Sequence, residues 1–375
     1  MKGVSKRFYS IVVLMILIIF FSGPACDSAT DGNSYFTLLD KTGKVLMCTS
    51  RRIYAGDIFL NEDNMVYKVM QVKGKKAYAE YIETVDLNLC LTQSPHEKVK
   101  EIVMAVANTD DEKRPVAIYH SHSDESFQPT DGTSSIPRKG SIFEVGEALA
   151  ESLEKQGVQV VHSTRTHDPH DARAYSRSRR TALALLREHR PVALLDVHRD
   201  ATPPETYLKE VEGKKVARIM LVVGRYNPRK KTNDSFAKEI KAAVDKRYPG
   251  LIKGIFYARG TYNQDLAPRS ILMEVGTHTL ARELAEEAVR MFALAAAPVI
   301  QPYATAEKRP DVVRKHIKNT LLVSLYFIII ALLGAVGLLV LNGRDPRNMV
   351  HYLKDLMKKI YTMAINVIDY NKKKT

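Results

Sequence analysis

The chain has 375 residues, with 56 Lys or Arg against 42 Asp or Glu and a formal net charge of +14. The length allows roughly two domains, an apolar fraction of 45% excludes wholesale disorder, and three cysteines exclude a disulfide-built scaffold or a four-thiolate zinc ribbon. So basic a total raises nucleic acid as a partner, and the distribution of the charge decides whether that reading stands.

Lys2, Lys6 and Arg7 precede an uncharged run over residues 8–25. Its apolar centre, 11–21, is short for a spanning helix, which needs about 20 residues. Residues 1–26 therefore read as a signal peptide or an N-terminal anchor. Cys26 follows directly, at the position of a lipoprotein acceptor, although Gly23-Pro24-Ala25 is a poor version of that box. Residues 27–105 carry short alternating stretches broken by turns, such as DIFLNEDNMVYKVMQVKGKKAYAEYIE, which predict a small β-rich domain. Cys48 and Cys90 fall in it, and a disulfide and two reduced thiols both stay open.

From Pro115 the pattern changes to strands alternating with helices. VAIYHSH, VQVVHST, VALLDVH, VARIMLVVG and ILMEVG read as strands. IFEVGEALAESLEKQG, DARAYSRSRRTALALLREH, SFAKEIKAAVDKRY and LARELAEEAVRMFALAA read as helices. Apolar strands separated by helices predict an α/β domain over 113–300, a mainly parallel sheet with helices on both faces. Residues 301–319 form a charged, proline-containing stalk, and the charge-free run 320–343 predicts a transmembrane helix. Residues 344–375 are a basic tail, and excess Lys and Arg beside a span marks the cytoplasmic side. Both ends then face inward, and the segment between them is extracytoplasmic. Residues 1–26 hold +3, residues 320–375 hold +5, and the rest has 45 basic against 39 acidic residues. That mild excess removes most of the support for nucleic acid, so the partners expected are the membrane and no nucleic acid.

In open α/β sheets functional residues gather at the carboxyl ends of strands. Here three strands run into ionisable groups: His120-Ser121-His122, His198 and Glu274, with Asp124 and Glu125 nearby. Such groups must be paired or metal-bound when buried. Two histidines and one carboxylate make a catalytic Zn²⁺ site with a position left for water, and a separate glutamate shuttles the proton. No HExxH and no GxSxG elbow is present, and all three cysteines lie outside the α/β domain.

IYHSHSDESF, the VGEALAESL helix, AYSRSRR, LLDVHRDA and TYNQDLAPRSILMEVG resemble the matching segments of the stage II sporulation protein P family, over roughly 113–298. That family is related to the zinc-dependent N-acetylmuramoyl-L-alanine amidases. The resemblance implies cleavage of the amide between muramic acid and L-alanine in peptidoglycan, and of peptide cross-links as well. It also implies action with stage II sporulation proteins D and M, on the mother-cell side of the septum, during septal thinning and engulfment. It makes His198 a zinc ligand and Glu274 the catalytic glutamate. The second histidine ligand is His120 or His122. For the carboxylate ligand Glu125 is favoured by its place in HSHSDES, with Glu144 and Glu147 competing. Arg177, Arg199, Asn263, Gln264 and Asp265 are candidates for holding substrate or orienting ligands, each with an ordinary surface or turn role as its alternative. His162, His167, His170 and His278 are mostly loop residues and are not favoured for the site. A vegetative or germination wall amidase with the same site, and a peptidoglycan-binding scaffold with a degenerate one, are the rival readings.

Overall fold

The computed structural model describes residues 35–88, 114–171 and 173–301. They belong to the first of two compact units, Met1–Lys308; the second, Arg309–Thr375, lies outside them. The expected signal or anchor, Cys90, the span at 320–343 and the basic tail also lie outside the described residues. Among the described residues no helix is long and apolar enough to cross a membrane.

Five strands open the chain: β1 (Phe36–Leu39), β2 (Val45–Thr49), β3 (Ile58–Asn61), β4 (Met65–Lys73) and β5 (Lys76–Thr84). The α/β part follows as β6 (Val116–Tyr119), α1 (Ile142–Glu154), β7 (Val160–His162), α2 (Ala174–His189) and β8 (Ala193–Asp200). It continues with β9 (Leu208–Val211), β10 (Lys214–Ala217), β11 (Ile219–Gly224), α3 (Lys230–Arg247), β12 (Ile252–Ala258), β13 (Ser270–Thr277) and α4 (Arg282–Ile300). In this part β7, β6, β8 and β13 run parallel in that spatial order; β11 is antiparallel to β13 and parallel to β12. Every residue of β6, β8, β11, β12 and β13 is buried, as expected for strands covered on both faces.

Alternate strand residues face different layers. Val116 and Ile118 of β6 share a core with Val145 and Leu149 of α1 and Val289 and Phe292 of α4. Ala117 and Tyr119 pack instead with Ala182 and Leu185 of α2. The period of 3.6 in α1 (Ile142, Val145, Leu149, Leu153) and of 2 in β6 thus place helices on opposite sides of one sheet.

The β-rich segment, expected as a domain of its own, is hydrogen-bonded edge to edge with the α/β sheet. β3 pairs antiparallel with β12, setting Leu60 against Ile255 and Phe59 against Phe256, so a single sheet of 11 strands runs through both parts. Gly254 permits this seam, because a Cβ there would lie 2.4 Å from the Leu60 carbonyl oxygen. Polar ties reinforce it: Arg225 pairs with Asp57 at 2.9 Å, and Arg218 and Lys209 both meet Glu62. Lys253, buried in β12, donates to the Cys48 carbonyl at 3.1 Å and lies 4.0 Å from the centre of the Tyr207 ring. Cys48 is buried, its sulfur 3.8 Å from the Thr37 hydroxyl.

Two elements differ from expectation. VARIMLVVG is not one strand: it breaks at Arg218, whose N–H donates to the Tyr207 carbonyl, and the residues before it form a hairpin with β9. β12 was not foreseen, since its short apolar run sits between Gly250 and Gly260 without a periodic signature.

Burial pushes the Lys253 ammonium down to about 8, with the Asp200 carboxylate opposing. The unfolded chain holds this proton up to about 10.4. Between those values the unfolded state binds more protons, so the penalty is full below about pH 8 and is relieved as pH rises towards 10. Urea unfolding of the wild type should therefore gain about 3 kcal/mol from this group across that window. Lys253→Met should flatten the rise, and an identical slope in the variant would refute the assignment.

Candidate active site

β6, β8 and β13 deliver the ionisable residues to one end of the sheet. Cα registers set Tyr119 beside Asp196 and Glu274 beside His198. Beyond β6 the chain turns back on itself, and Glu125 returns to the ends of the strands. One of its carboxylate oxygens lies 3.0 Å from His122 Nδ1 and 3.4 Å from His198 Nδ1. The other oxygen accepts the Arg199 backbone N–H at 2.9 Å. All three side chains are buried. Gly140 makes the turn possible, since a Cβ there would meet the backbone of Asp124 and Glu125 at 2.5 Å.

Asp196 fixes the far side of His198. Its carboxylate lies 2.9 Å from His198 Nε2 and accepts the Ser121 N–H and hydroxyl at 2.8 and 2.7 Å. Burial opposes charge on His198, but Asp196 and Glu125 outweigh it and lift the imidazole to about 10. Burial alone would raise Glu125; His198, His122 and Arg199 hold it well below the usual carboxylate range instead. Burial and the neighbouring His170 push His122 down to about 3, so its ring is neutral.

Glu274 is buried beside His198, on β13. Arg51, from the loop after β2, donates its Nε–H to Glu274 Oε1 at 2.5 Å. The other oxygen, Oε2, is buried with no hydrogen-bond partner. Burial raises the Glu274 carboxyl, with the Arg51 charge acting against it. Tyr175 and Tyr262 wall the site: the Tyr175 ring stacks 6.2 Å from His198 and meets Tyr262 edge-on at 5.3 Å.

The two histidines left open separate clearly. His120 is turned under α1, with Nδ1 2.8 Å from the Val197 carbonyl and Nε2 2.8 Å from His162. His122 is the one that faces Glu125. Glu147 binds His162 at 2.9 Å, and Glu144 and Glu147 are exposed on α1, away from the cluster. Arg199 donates to the carbonyls of Ser126 and Ser134 and so holds the Glu125 loop. Arg177 holds a second loop through the His167 carbonyl and the Asp171 carboxylate. Asn263 donates to Tyr175 and Ser178, and Gln264 straps the backbone of Val222 and Gly224. Asp265 pairs with Arg179 at 2.6 Å. Arg177, Arg199 and Asn263 thus hold segments next to the site, whereas Gln264 grips β11 and Asp265 pairs with α2.

Five participants are new relative to the sequence reading: Asp196, His170, Tyr175, Tyr262 and Arg51. His170 lies 3.0 Å from Asp124, and its ring centre is 3.8 Å from that of His122. His162, in the expected strand VQVVHST, ends β7 and contacts His120. Ligand atoms of His122, Glu125 and His170 lie within 4.8 Å of one another. His122 Nε2 is buried without a hydrogen-bond partner. Imidazole nitrogens beside one carboxylate suit a Zn²⁺ ion, and the Asp196–His198 pair is the outer support such ligands use. Asp196→Asn should lower Zn²⁺ affinity about 10- to 100-fold in equilibrium dialysis. An unchanged affinity would remove His198 from the metal centre.

The profile of the stage II sporulation protein P family matches residues 37–297. Stage II sporulation protein P of Bacillus subtilis (strain 168) is 31% identical over 186 residues, covering 45% of this chain and 46% of that protein. The chain thus matches about half the length of this relative. Among solved structures, the CwlD amidase from Clostridioides difficile, in complex with the GerS lipoprotein, is similar at 14% identity and a TM-score of 0.35, covering 52% of this chain and 99% of that one. The N-acetylmuramoyl-L-alanine amidase AmiC2 of Nostoc punctiforme is similar at 17% identity and a TM-score of 0.32, covering 51% and 97%. Those two likenesses are too distant to carry a residue or an activity across. The family match instead spans more than two thirds of the sequence and takes in the β-rich segment as well as the α/β part. The chain belongs to the stage II sporulation protein P family.

Proposed function

We propose that the chain is a zinc-dependent peptidoglycan hydrolase that cleaves the amide joining the lactyl group of N-acetylmuramic acid to L-alanine. The carrying observation is the meeting of His122 and His198 on one oxygen of Glu125, with Glu274 on the neighbouring strand. His122 and Glu125 would hold the ion together with His198 on the neighbouring strand, and His170, whose ligand atom lies within 4.8 Å of those of His122 and Glu125, is a further candidate ligand. When bound, Zn²⁺ polarises a carbonyl and lowers the pKa of water towards neutrality.

Glu274 does the proton work. Its unpartnered Oε2 takes a proton from the attacking water as the new C–O bond forms at the lactyl carbonyl. The same proton passes to the alanine nitrogen as the C–N bond breaks, leaving a free amine and a carboxylic acid, which loses its proton to solvent. Tyr175 and Tyr262 supply an apolar wall for the sugar and peptide. The setting we propose is the sporulation septum, with the catalytic part extracytoplasmic, the span at 320–343 in the membrane, and stage II sporulation proteins D and M as partners. Family membership and the basic flanks of the apolar runs support it. A non-catalytic wall-binding scaffold is disfavoured by the complete set of buried ionisable groups.

Purified protein on purified peptidoglycan should release new L-alanine amino termini without new reducing ends, with one zinc per chain. Glu274→Gln and His198→Ala should each lower that rate at least about 100-fold. Full activity in both variants would sink the proposal.

A further inference from the structure

The residue touching Glu274 comes from outside the α/β part. Arg51 follows β2, in the β-rich segment, 223 positions from Glu274 in sequence. Its guanidinium is held on several sides: Nε reaches Glu274 Oε1, one terminal nitrogen donates to the Tyr175 hydroxyl at 3.0 Å, and its carbon lies 5.1 Å from the centre of the Tyr262 ring. Its side chain is 12% exposed. The loop that carries it is pinned as well. Ser50 gives both its N–H and its hydroxyl to Asp200 at 2.7 Å, and Asp200 is the last residue of β8, two beyond His198. The Arg51 N–H goes to the Thr49 hydroxyl at 3.1 Å.

We propose that Arg51 is a positioning residue for Glu274, so that the β-rich segment completes the active site. This rests on Glu274 being the proton carrier. The two oxygens of Glu274 are treated differently: Oε1 is held by Arg51, and Oε2 has no partner. A latch that silenced the base would engage both oxygens through the forked end of the guanidinium. Contact through Nε alone fixes the plane of the carboxylate and leaves one oxygen for the reaction. Tyr175 connects this clamp to the metal cluster, because the ring whose hydroxyl accepts from Arg51 is stacked on His198. Arg51 therefore sets the base relative to the reacting carbonyl without touching substrate.

The test uses the full chain loaded with zinc and a soluble muramoyl peptide. Arg51→Ala should lower kcat about 100-fold, the scale of a misplacement near 1 Å, while KM stays within about twofold and zinc content is unchanged. Ethylguanidinium added to Arg51→Ala should restore part of kcat, and Arg51→Lys, lacking the planar fork, should lose at least about fivefold. In a Glu274→Gln background Arg51→Ala should cost nothing further, because its effect runs through Glu274. A rise in kcat would make Arg51 a latch, and a rise in KM alone would make it a substrate contact; either overturns the proposal. If Arg51→Ala does not fold, Arg51→Lys decides: unchanged kcat overturns the proposal, and lowered kcat at constant KM supports it. A Glu274→Gln enzyme that keeps full activity would instead overturn the catalytic reading itself, whatever Arg51 does.

Discussion

The structure turns on one buried carboxylate. Glu125 sits among the ends of three strands with both oxygens engaged, and a buried charge in that position must be matched or it would be driven neutral. The match comes from separate stretches of chain: His122 from its own turn, and His198 with the Arg199 N–H from β8. Because the two oxygens take different partners, the turn 120–126 has one placement on the sheet. Gly140 and the reach of Arg199 to Ser126 and Ser134 make that placement sterically possible and hold it.

The same constraint orders the two histidines. His198 lies between two carboxylates and carries a proton to high pH; His122 lies against another imidazole and stays neutral. Asp196 meets His198 on Nε2, so the Nδ1 edge faces Glu125. Asp196 is in turn held by Ser121, one residue before His122. The two histidine segments are thus tied through the Asp196 carboxylate.

Much of this was legible in the sequence, and the rest was hidden for physical reasons. Apolar strands separated by amphipathic helices give the layers directly, since periods of 2 and 3.6 are local properties. His198 and Glu274 stand out because a charged residue ending an apolar strand needs a partner. His170 did not, since its place depends on a loop tied by Arg177 and has no periodicity. Arg177, Arg199 and the Asn263-Gln264-Asp265 run were found as polar residues near the site, but the sequence does not say that they grip backbone. The β-rich segment read as separate because an edge pairing such as β3 with β12 uses backbone groups that every sequence has. Gly254 marks the pairing only once the partner strand is known.

That edge pairing answers a difficulty specific to a glutamate on β13. On one side β8 offers a histidine, already committed to Asp196 and Glu125. On the other side β11 is antiparallel and sets Met220 opposite Glu274, an apolar side chain that cannot support a charge. Burial alone pushes such a carboxyl towards neutrality, and a neutral carboxyl cannot accept a proton. The largest opposing charge is Arg51, from beyond these neighbouring strands, with His198 adding to it. Joining β3 to β12 carries the β-rich segment alongside, the Ser50–Asp200 bond anchors its loop at the end of β8, and Arg51 then reaches Glu274. The continuity of the sheet is therefore what brings a counter-charge to the glutamate, and the β-rich segment shares in the candidate site.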